Sequence, residues 1–152
     1  MRVEVKIQPD IRESNAVIYV PKMTPELMAA VEMLERADEK TPLFVKSGDK
    51  IFIIEPEQTD IIRTEGSEIK LYTATGREYI VTKPLRDIQE QLGASFIRIS
   101  KSTIININRI DHLSPSFNRT MYVVMKNGVG DYISRKHLAD FKKRIGLLEV
   151  SV

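Results

Sequence analysis

The chain has 152 residues, 42% of them hydrophobic and 29% charged, which is the balance of a globular protein with one domain or one domain and an appendage. It contains no cysteine, which excludes disulfide frameworks and thiol chemistry. No apolar run approaches the ~18 residues that span a bilayer, and the N-terminus lacks the apolar stretch of a signal peptide, so we expect a cytoplasmic protein.

Charge is divided unevenly along the chain. Residues 93–152 carry ten Lys or Arg and four Asp or Glu, a net charge of +6, whereas residues 1–92 carry a net charge of −4. A basic C-terminal part behind an acidic one is typical of a protein that binds a polyanion. The same charge also fits an ordinary solvated surface, so its distribution by itself leaves both interpretations open.

The first segment, residues 1–40, predicts two strands and one helix. Residues 3–7 (VEVKI) and 16–20 (AVIYV) have the alternating or continuous apolar pattern of strands. Thr24 is placed as an N-cap before a proline at the first helical position, and the helix extends to about Asp38. Its apolar face carries Leu27, Ala30, Val31 and Leu34. This β-β-α appendage is too short to fold alone, because isolated hairpins and short helices are marginal in water.

From residue 43 onward the chain reads as short strands separated by turns. The predicted strands cover residues 43–46, 50–54, 59–66, 68–74, 75–81, 96–100, 102–108, 109–113, 120–125 and 129–134. Two amphipathic helices are predicted at 84–93 and 135–146. Asn127-Gly128 predicts a hairpin with a type I′ turn, because both residue types tolerate positive φ. The predicted fold class is therefore mainly β with short helices.

The residue inventory argues against an enzyme. The chain has two histidines, His112 and His137, and no glycine-rich phosphate loop, zinc-protease motif or nucleophile elbow. Neighbouring carboxylates such as Glu65 and Glu68 are common on solvated strand edges. His112 follows Asp111, but no other metal-ligand type is near in sequence, so a surface histidine is favoured over a metal site. We therefore expect no catalysis, metal, cofactor or small-molecule substrate.

Residues 96–110 have the pattern of a loop that reads DNA. Apolar residues anchor both sides of a polar group made of Arg98, Ser100, Lys101 and Ser102. Long cations reach phosphates and guanine edges, and short hydroxyls bond phosphate oxygens, when an apolar scaffold holds them in place. An ordinary amphipathic strand and turn has the same spacing, so the pattern by itself leaves both interpretations open.

The same stretch resembles the LytTR DNA-binding domain of bacterial response regulators. The residues that match the family pattern are Phe96, Arg98, Ser100, Lys101, Ser102, Ile104, Ile105, Asn106 and Ile110. The resemblance covers residues 43–146 and includes the Asn-Gly hairpin and the Ser134-Arg135-Lys136 entry into the last helix. It implies an elongated β-β-β sandwich of about ten strands over residues 43–148, whose loops enter successive major grooves of double-stranded DNA.

The resemblance assigns roles to the matched positions. The second base contact falls on Lys101, which suits guanine O6 and N7, and the third falls on Arg135. Arg98 is either a phosphate contact, which we favour, or a strand-face charge. Asn106 is interpreted as structural, with its amide tying the turn. The other DNA contacts implied around these positions are Ser100, Ser102 and Lys136.

The first base contact departs from the family pattern. It falls at Glu68 or Ile69, where the family often has a histidine and this chain has none. An acid there would repel phosphate. We therefore expect Ser67 or Lys70 to make the DNA contact instead.

The last predicted helix ends in a cluster of cations, Lys142, Lys143 and Arg144. These residues either face phosphate or simply favour the C-terminal end of the helix dipole. As phosphate contacts they would add affinity for every DNA sequence alike.

The implied function is sequence-specific transcriptional regulation by a stand-alone protein, because the residues before 43 are too few for a receiver domain. The rival function is a protein–protein interaction module that binds no nucleic acid. Similar stand-alone members are often partnered with a small membrane-protein antagonist. Residues 1–40 pack either on the same chain, as a cap, or on a second copy. A homodimer is favoured because pairing raises DNA affinity and sets half-site spacing.

Overall fold

The structure is a computed structural model that describes residues 1–12, 14–37 and 41–146. Backbone contacts divide the chain into two units, Met1–Glu39 and Lys40–Val152. Among the described residues, the first unit holds one helix and the second holds ten strands and two helices.

The helix predicted in the N-terminal unit is present as α1, Pro25–Glu35. Thr24 caps it as expected, because its Oγ1 accepts a hydrogen bond from the backbone N–H of Leu27 at 3.2 Å. Leu27 and Val31, on the predicted apolar face, are half-buried. The predicted end of the helix, Asp38, lies outside the described residues.

The two strands predicted for the N-terminal unit are not formed. Residues 3–7 and 16–20 carry no strand, and Val3, Val5 and Ile7 are 76%, 83% and 88% exposed. A pair of strands needs a third strand or a packed helix against its apolar face to be stable in water. The apolar pattern of these two segments fits a strand but does not specify what the strand pairs with. The prediction was wrong because it rested on this pattern alone.

The C-terminal unit is built from ten strands. Their bounds are β1 Leu43–Ser47, β2 Lys50–Ile54, β3 Thr59–Glu65, β4 Glu68–Thr73, β5 Glu78–Val81, β6 Phe96–Ser100, β7 Thr103–Asn106, β8 Ile110–Pro115, β9 Met121–Met125 and β10 Gly130–Ile133. Seven strands form one sheet in the order β2-β1-β5-β4-β3-β7-β6, and three form a second sheet in the order β10-β9-β8. The pairings are antiparallel. The predicted mainly β class is confirmed.

Two helices complete this unit, α2 Leu85–Leu92 and α3 Arg135–Ile145. The buried residues of α2 are Leu85, Ile88 and Leu92, which is the predicted spacing for one helical face. Gly93 ends α2 with a φ of 78°, a backbone conformation that favours glycine.

The larger sheet carries core residues on both faces. Successive side chains of a strand point to opposite faces, so Ile61 and Ile62 of β3 enter different apolar clusters, as do Ile104 and Ile105 of β7. Side chains of α2 pack in the cluster of Ile62, and side chains of β9, β10 and α3 pack in the cluster of Ile61. The middle of β3 and of β7 is buried on both sides, which explains why each strand carries two adjacent isoleucines instead of an apolar–polar alternation.

The hairpin at Asn127-Gly128 joins β9 and β10, but its turn type differs from the prediction. Gly128 has a φ of 91°, whereas Asn127 has no positive φ, which excludes a type I′ turn. The Gly128 N–H donates to the Met125 carbonyl at 2.9 Å, and the Met125 N–H donates to the Val129 carbonyl at 2.9 Å. The connection is therefore a three-residue loop with a left-handed glycine. The Asn127 side chain is committed to the loop and to Thr73, because it accepts from the Val129 N–H and donates to the Thr73 carbonyl.

Candidate nucleic-acid interface

Two polar turns and the connection from β10 to α3 lie at one end of the seven-stranded sheet. β3 runs antiparallel to β4 and β7, so the β3–β4 and β6–β7 turns meet where β3 finishes. The Thr64 N–H donates to the Ser102 carbonyl at 2.8 Å, and the Ser134 N–H, just before α3, donates to the Ile99 carbonyl at 2.8 Å. We call this region the loop end and define it by five exposed residues, Ser67, Lys101, Ser102, Arg135 and Lys136.

The β6–β7 turn holds Lys101 and Ser102 on a fixed backbone. Ser100 Oγ accepts from the Ser102 N–H at 3.2 Å and lies 3.2 Å from Ser102 Oγ. The Arg98 guanidinium donates to the Ser100 carbonyl at 2.9 Å and also to the Lys101 carbonyl. The turn therefore presents an ammonium and a hydroxyl to solvent. The described bonds of Arg98 are to the turn itself, and its phosphate contact stays a prediction.

α3 begins beside this turn, with exposed Arg135 and Lys136 at its first two positions. Ser134 Oγ is hydrogen-bonded to His137 Nδ1 at 2.7 Å and makes no capping bond to the helix. Burial, together with the charges of Lys136 and Arg98, lowers the pKa of His137. A helix N-terminus flanked by two cations attracts an anion such as phosphate, because the helix dipole and the side chains carry charge of the same sign.

The β3–β4 turn offers fewer cations than the sequence suggests. Ser67 and Glu68 are exposed at its tip. Ile69 packs against the apolar cluster on the α2 side of the sheet. Lys70 is half-buried and paired with Glu78, whose Oε1 is 2.9 Å from Lys70 Nζ, and this hydrogen bond raises the pKa of Lys70. Of the four candidate positions, only Ser67 and Glu68 are both exposed and at the tip.

Lys142 and Lys143 lie away from the loop end. They occupy the last turn of α3, and an 11-residue helix is about 16 Å long. Lys142 is half-buried and Lys143 is exposed. Arg144 donates to the Ala94 carbonyl and so ties this end of α3 to the segment before β6. The structure therefore does not bring these two lysines together with the cations of the loop end.

Asn106 is buried at the end of β7 opposite to Lys101. Its Nδ2 donates to the Thr59 carbonyl at 3.0 Å, and its Oδ1 accepts from the Asn108 N–H at 3.0 Å. Both bonds join backbone segments, as the structural interpretation of this residue expects.

Sequence reasoning missed a polar cluster directly behind the loop end. Arg63 Nε lies 3.0 Å from Glu65 Oε2, and the Arg63 guanidinium lies 5.3 Å from the ring centroid of Tyr72. The Tyr72 hydroxyl also donates to Glu65. Towards the second sheet, Arg63 donates to the Gly130 carbonyl at 3.0 Å and lies 4.0 Å from Asp131 Oδ2. The available signal was strand alternation, because Arg63 and Glu65 lie on the same face of β3 as Ile61, the face that packs against the second sheet.

Hydrogen bonds outweigh the cost of burying charge in this cluster. Burial raises the pKa of Glu65, but hydrogen bonds from Tyr72 and Arg63 bring it below the usual value. Burial lowers the pKa of Arg63, but its bonds with Glu65 and Tyr72 bring it above the usual value. Burial and the bond to Glu65 raise the pKa of Tyr72. At neutral pH the cluster therefore contains a carboxylate, a guanidinium and a neutral phenol.

The described residues show few features of other functional classes. No group of three His, Cys, Asp or Glu side chains in residues 1–12, 14–37 and 41–146 is placed to hold a metal ion. His112 is exposed and bonds to its neighbour Asp111, with 2.6 Å between Nδ1 and Oδ2. None of the described helices has the length and apolar character that crossing a membrane requires.

Comparison with known proteins then decides the family. Residues 49–146 match the model of the LytTr DNA-binding domain. The chain belongs to the LytTr DNA-binding domain family. The match runs from just before β2 to the end of α3, and it includes every residue of the loop end.

Two relatives and one solved structure illustrate the membership in the LytTr family. The transcriptional regulatory protein LytR of Staphylococcus aureus (strain MW2) is 35% identical over 120 residues, covering 78% of this chain and 48% of that protein. The sensory transduction protein LytT of Enterococcus faecalis is 27% identical over 138 residues, covering 89% and 57%. The chain thus spans about half the length of these curated relatives. A solved LytTr DNA-binding domain from Bacillus cereus shares the fold, with a TM-score of 0.66, 21% identity and coverage of 71% of this chain and 99% of that one.

Proposed function

We propose that this chain binds double-stranded DNA sequence-specifically and regulates transcription. The observation that carries the proposal is the loop end, where turns from distant parts of the sequence present exposed cations and hydroxyls side by side. Membership in the LytTr DNA-binding domain family supports it, as do relatives named as regulatory proteins. The proposed action is binding, without catalysis, in the cytoplasm.

The proposed contacts divide into base reading and positioning. Lys101 and Arg135 read base edges, because each carries a long exposed cation on a fixed backbone. Phosphate contacts hold the register and come from hydroxyls and cations around them. In the β3–β4 turn, Ser67 or Lys70 makes the first base contact. The proposed phosphate contacts are Arg98, Ser100, Ser102, Lys136, Lys142 and Lys143. The turns enter successive major grooves.

Site selection from random duplexes, followed by a salt titration, tests this proposal. Protein that binds phosphates releases counterions, so log K against log salt for the selected duplex is expected to fall with a clear negative slope. Absence of an enriched motif, or affinity that does not change with salt, contradicts DNA recognition by this chain.

One observation favours the alternative function, a protein-interaction module. Phe44, Ile51 and Ile53 are 63%, 66% and 60% exposed on the outer face of the β1–β2 hairpin. Replacing Phe44 and Ile53 by serine separates the two functions. DNA affinity is expected to stay unchanged, whereas a loss of DNA affinity would place recognition on this face.

We also propose that residues 1–40 form a homodimer contact. Met28, Met33 and Leu34 of α1 are 54%, 73% and 52% exposed, so the helix carries apolar surface for a second copy. Sedimentation of the full chain and of a chain starting at Pro42 tests this. A dimeric full chain and a monomeric short chain are expected, and a monomeric full chain contradicts the proposal.

A small membrane-protein antagonist is proposed on the family resemblance alone, and capture of such a protein by the full chain in membrane extracts tests it.

A further inference from the structure

We propose that Arg63 is a positioning residue for DNA recognition, which fixes the β3–β4 turn and the start of α3 at a set separation without touching DNA. The inference rests on the proposed function. It concerns the polar cluster behind the loop end, made of Arg63, Glu65, Tyr72 and Asp131.

Arg63 joins the two sheets of the C-terminal unit. Its Nε is 3.0 Å from Glu65 Oε2 on its own strand, and one terminal nitrogen donates to the Gly130 carbonyl of β10 at 3.0 Å. The same nitrogen lies 4.0 Å from Asp131 Oδ2. A planar guanidinium holds both sides because its donors diverge at fixed angles, whereas a lysine ammonium is a point charge without that geometry.

The second sheet is held firmly at the point of contact. A side chain at position 130 would collide with the Tyr122 ring, so Gly130 is packed closely against it. Tyr122 also packs edge-on against Tyr132, with 4.8 Å between ring centroids. Asp131 accepts a hydrogen bond from Thr103 Oγ1 at 2.7 Å, which joins β10 to the first residue of β7. The contacts of this cluster therefore set where β10 lies against β3 and β7.

Both sides of the Arg63 contact lead directly into the loop end. Glu65 is followed by Gly66 and Ser67 in the β3–β4 turn, and Asp131 precedes Arg135 by four residues. A shift of β10 against β3 therefore moves Arg135 relative to that turn. Base-reading contacts demand placement within about 0.5 Å, so such a shift weakens recognition of the correct sequence.

Arg63 is poorly placed to bind phosphate itself. Its side chain is 24% exposed, and its charge is matched by the Glu65 carboxylate 3.0 Å away. The face of its guanidinium lies over the Tyr72 ring. Its effect on DNA is therefore indirect, through the placement of other residues.

A comparison of Arg63→Lys with Arg109→Lys in the full chain tests the inference. Arg109 is a matched control because its side chain is 27% exposed and its Nε bonds to a carboxylate of β3, Asp60 Oδ1, at 2.8 Å. Asp60 lies at the end of β3 opposite to Glu65. Each variant is measured for urea unfolding, for affinity to a selected duplex and to a scrambled duplex, and for the salt slope.

Arg63→Lys is expected to lower the ratio of selected to scrambled affinity by about tenfold, while the scrambled affinity and the salt slope stay unchanged. Renewed site selection with this variant should also enrich sites with one base pair more or fewer between the positions read by the β3–β4 turn and by Arg135. Arg109→Lys is expected to lower the unfolding midpoint while leaving the affinity ratio within about twofold. Asp131→Asn removes the negative charge that lies 4.0 Å from the Arg63 guanidinium and leaves Arg63 itself in place. It should reproduce the Arg63→Lys result, and it replaces Arg63→Lys in the test if that variant does not fold.

Three outcomes overturn the inference. An unchanged affinity ratio in both Arg63→Lys and Asp131→Asn shows that the contact does not position the turns. An equal loss of ratio in Arg109→Lys shows a general structural effect. An equal loss of affinity for the selected and the scrambled duplex in Arg63→Lys shows a direct phosphate contact. If wild-type protein itself fails to discriminate the two duplexes, the proposed function fails, and that result is separate from these three.

Discussion

The two ends of β3 differ in how they use polar residues. At its start, Asp60 is fully buried, and its carboxylate accepts from Arg109 Nε at 2.8 Å and from the Asn127 N–H at 3.0 Å. At its finish, the loop end presents polar side chains to solvent, and the cluster around Arg63 behind it is closed by internal bonds.

Under the proposed function, one strand contributes to stability at one end and to DNA recognition at the other. Buried polar groups must be bonded internally, and the described residues leave no buried side-chain nitrogen or oxygen without a partner. The Asp60 carboxylate therefore ties β3 to Arg109 and to Asn127, and both of its oxygens are used in internal bonds. The loop end instead exposes Lys101, Arg135 and Lys136 to solvent on backbone that is held by the sheets and by the bonds of Arg98 and Ser100.

The largest expected effect is on stability and concerns Asp60 at the start of β3. Asp60→Ala should lower the free energy of unfolding by about 3 kcal/mol, because it leaves the Asn127 N–H and the Arg109 guanidinium without their acceptor. Urea unfolding measures the change. Asp49→Ala, at the exposed β1–β2 turn, is the control and should change stability by less than about 0.5 kcal/mol. Equal effects of the two variants would remove the distinction between the ends.

Substitutions at the loop end should lower DNA affinity and leave stability unchanged. Lys101→Ala or Arg135→Ala is expected to cost about 1–3 kcal/mol of specific DNA affinity and to relax base preference at one position. Stability should stay within about 0.5 kcal/mol of wild type, because both side chains are exposed. Site selection and urea unfolding of each variant measure the two quantities. An unchanged motif at unchanged affinity shows that these residues do not read bases.

A smaller effect is expected at the far end of α3. Lys142→Ala should weaken binding to all duplexes alike and reduce the salt slope by about one, because a phosphate contact carries no sequence information. Titrations with selected and scrambled duplexes at several salt concentrations measure this. No change in either duplex would assign Lys142 to the helix dipole alone.

The smallest effect concerns pH. The pKa of Glu65 lies below its usual value of 4.5 in the folded chain, because hydrogen bonds from Tyr72 and Arg63 outweigh its burial. Its contribution to stability is therefore full above pH 4.5 and is lost as pH falls through the lower folded pKa. The stability gap between wild type and Glu65→Gln should shrink on acidification, as urea unfolding across pH shows. A gap that stays constant with pH contradicts this origin of the shift.

Local pattern predicted most of the C-terminal unit. Short apolar segments and the turn residues beside them placed β2 and β6 at their observed bounds, and helical spacing placed the buried face of α2. Lys101 and Arg135 were predicted as site residues from the family resemblance, and the structure places both at one end of the sheet. These features depend on neighbours within a few residues.

Features that depend on distant partners escaped prediction. The Arg63–Asp131 contact spans 68 residues of sequence, and neither residue stands in a motif. The Asn127-Gly128 turn type also differs from the prediction, and the Asn127 amide bonds to Thr73 of β4, a residue 54 positions away in sequence. Residues 3–7 have a strand's pattern but form no strand, since alternation does not specify a pairing partner.

The proposal that the loop end contacts DNA, and that the start of β3 around Asp60 does not, can be checked residue by residue. The measurement is the change in backbone amide chemical shifts of the full chain during titration with a selected duplex. The largest changes are expected in residues 66–67, 101–102 and 134–136, with small changes around Asp60 and Asn106. The largest changes around Asp60, or on the β1–β2 hairpin, would contradict it.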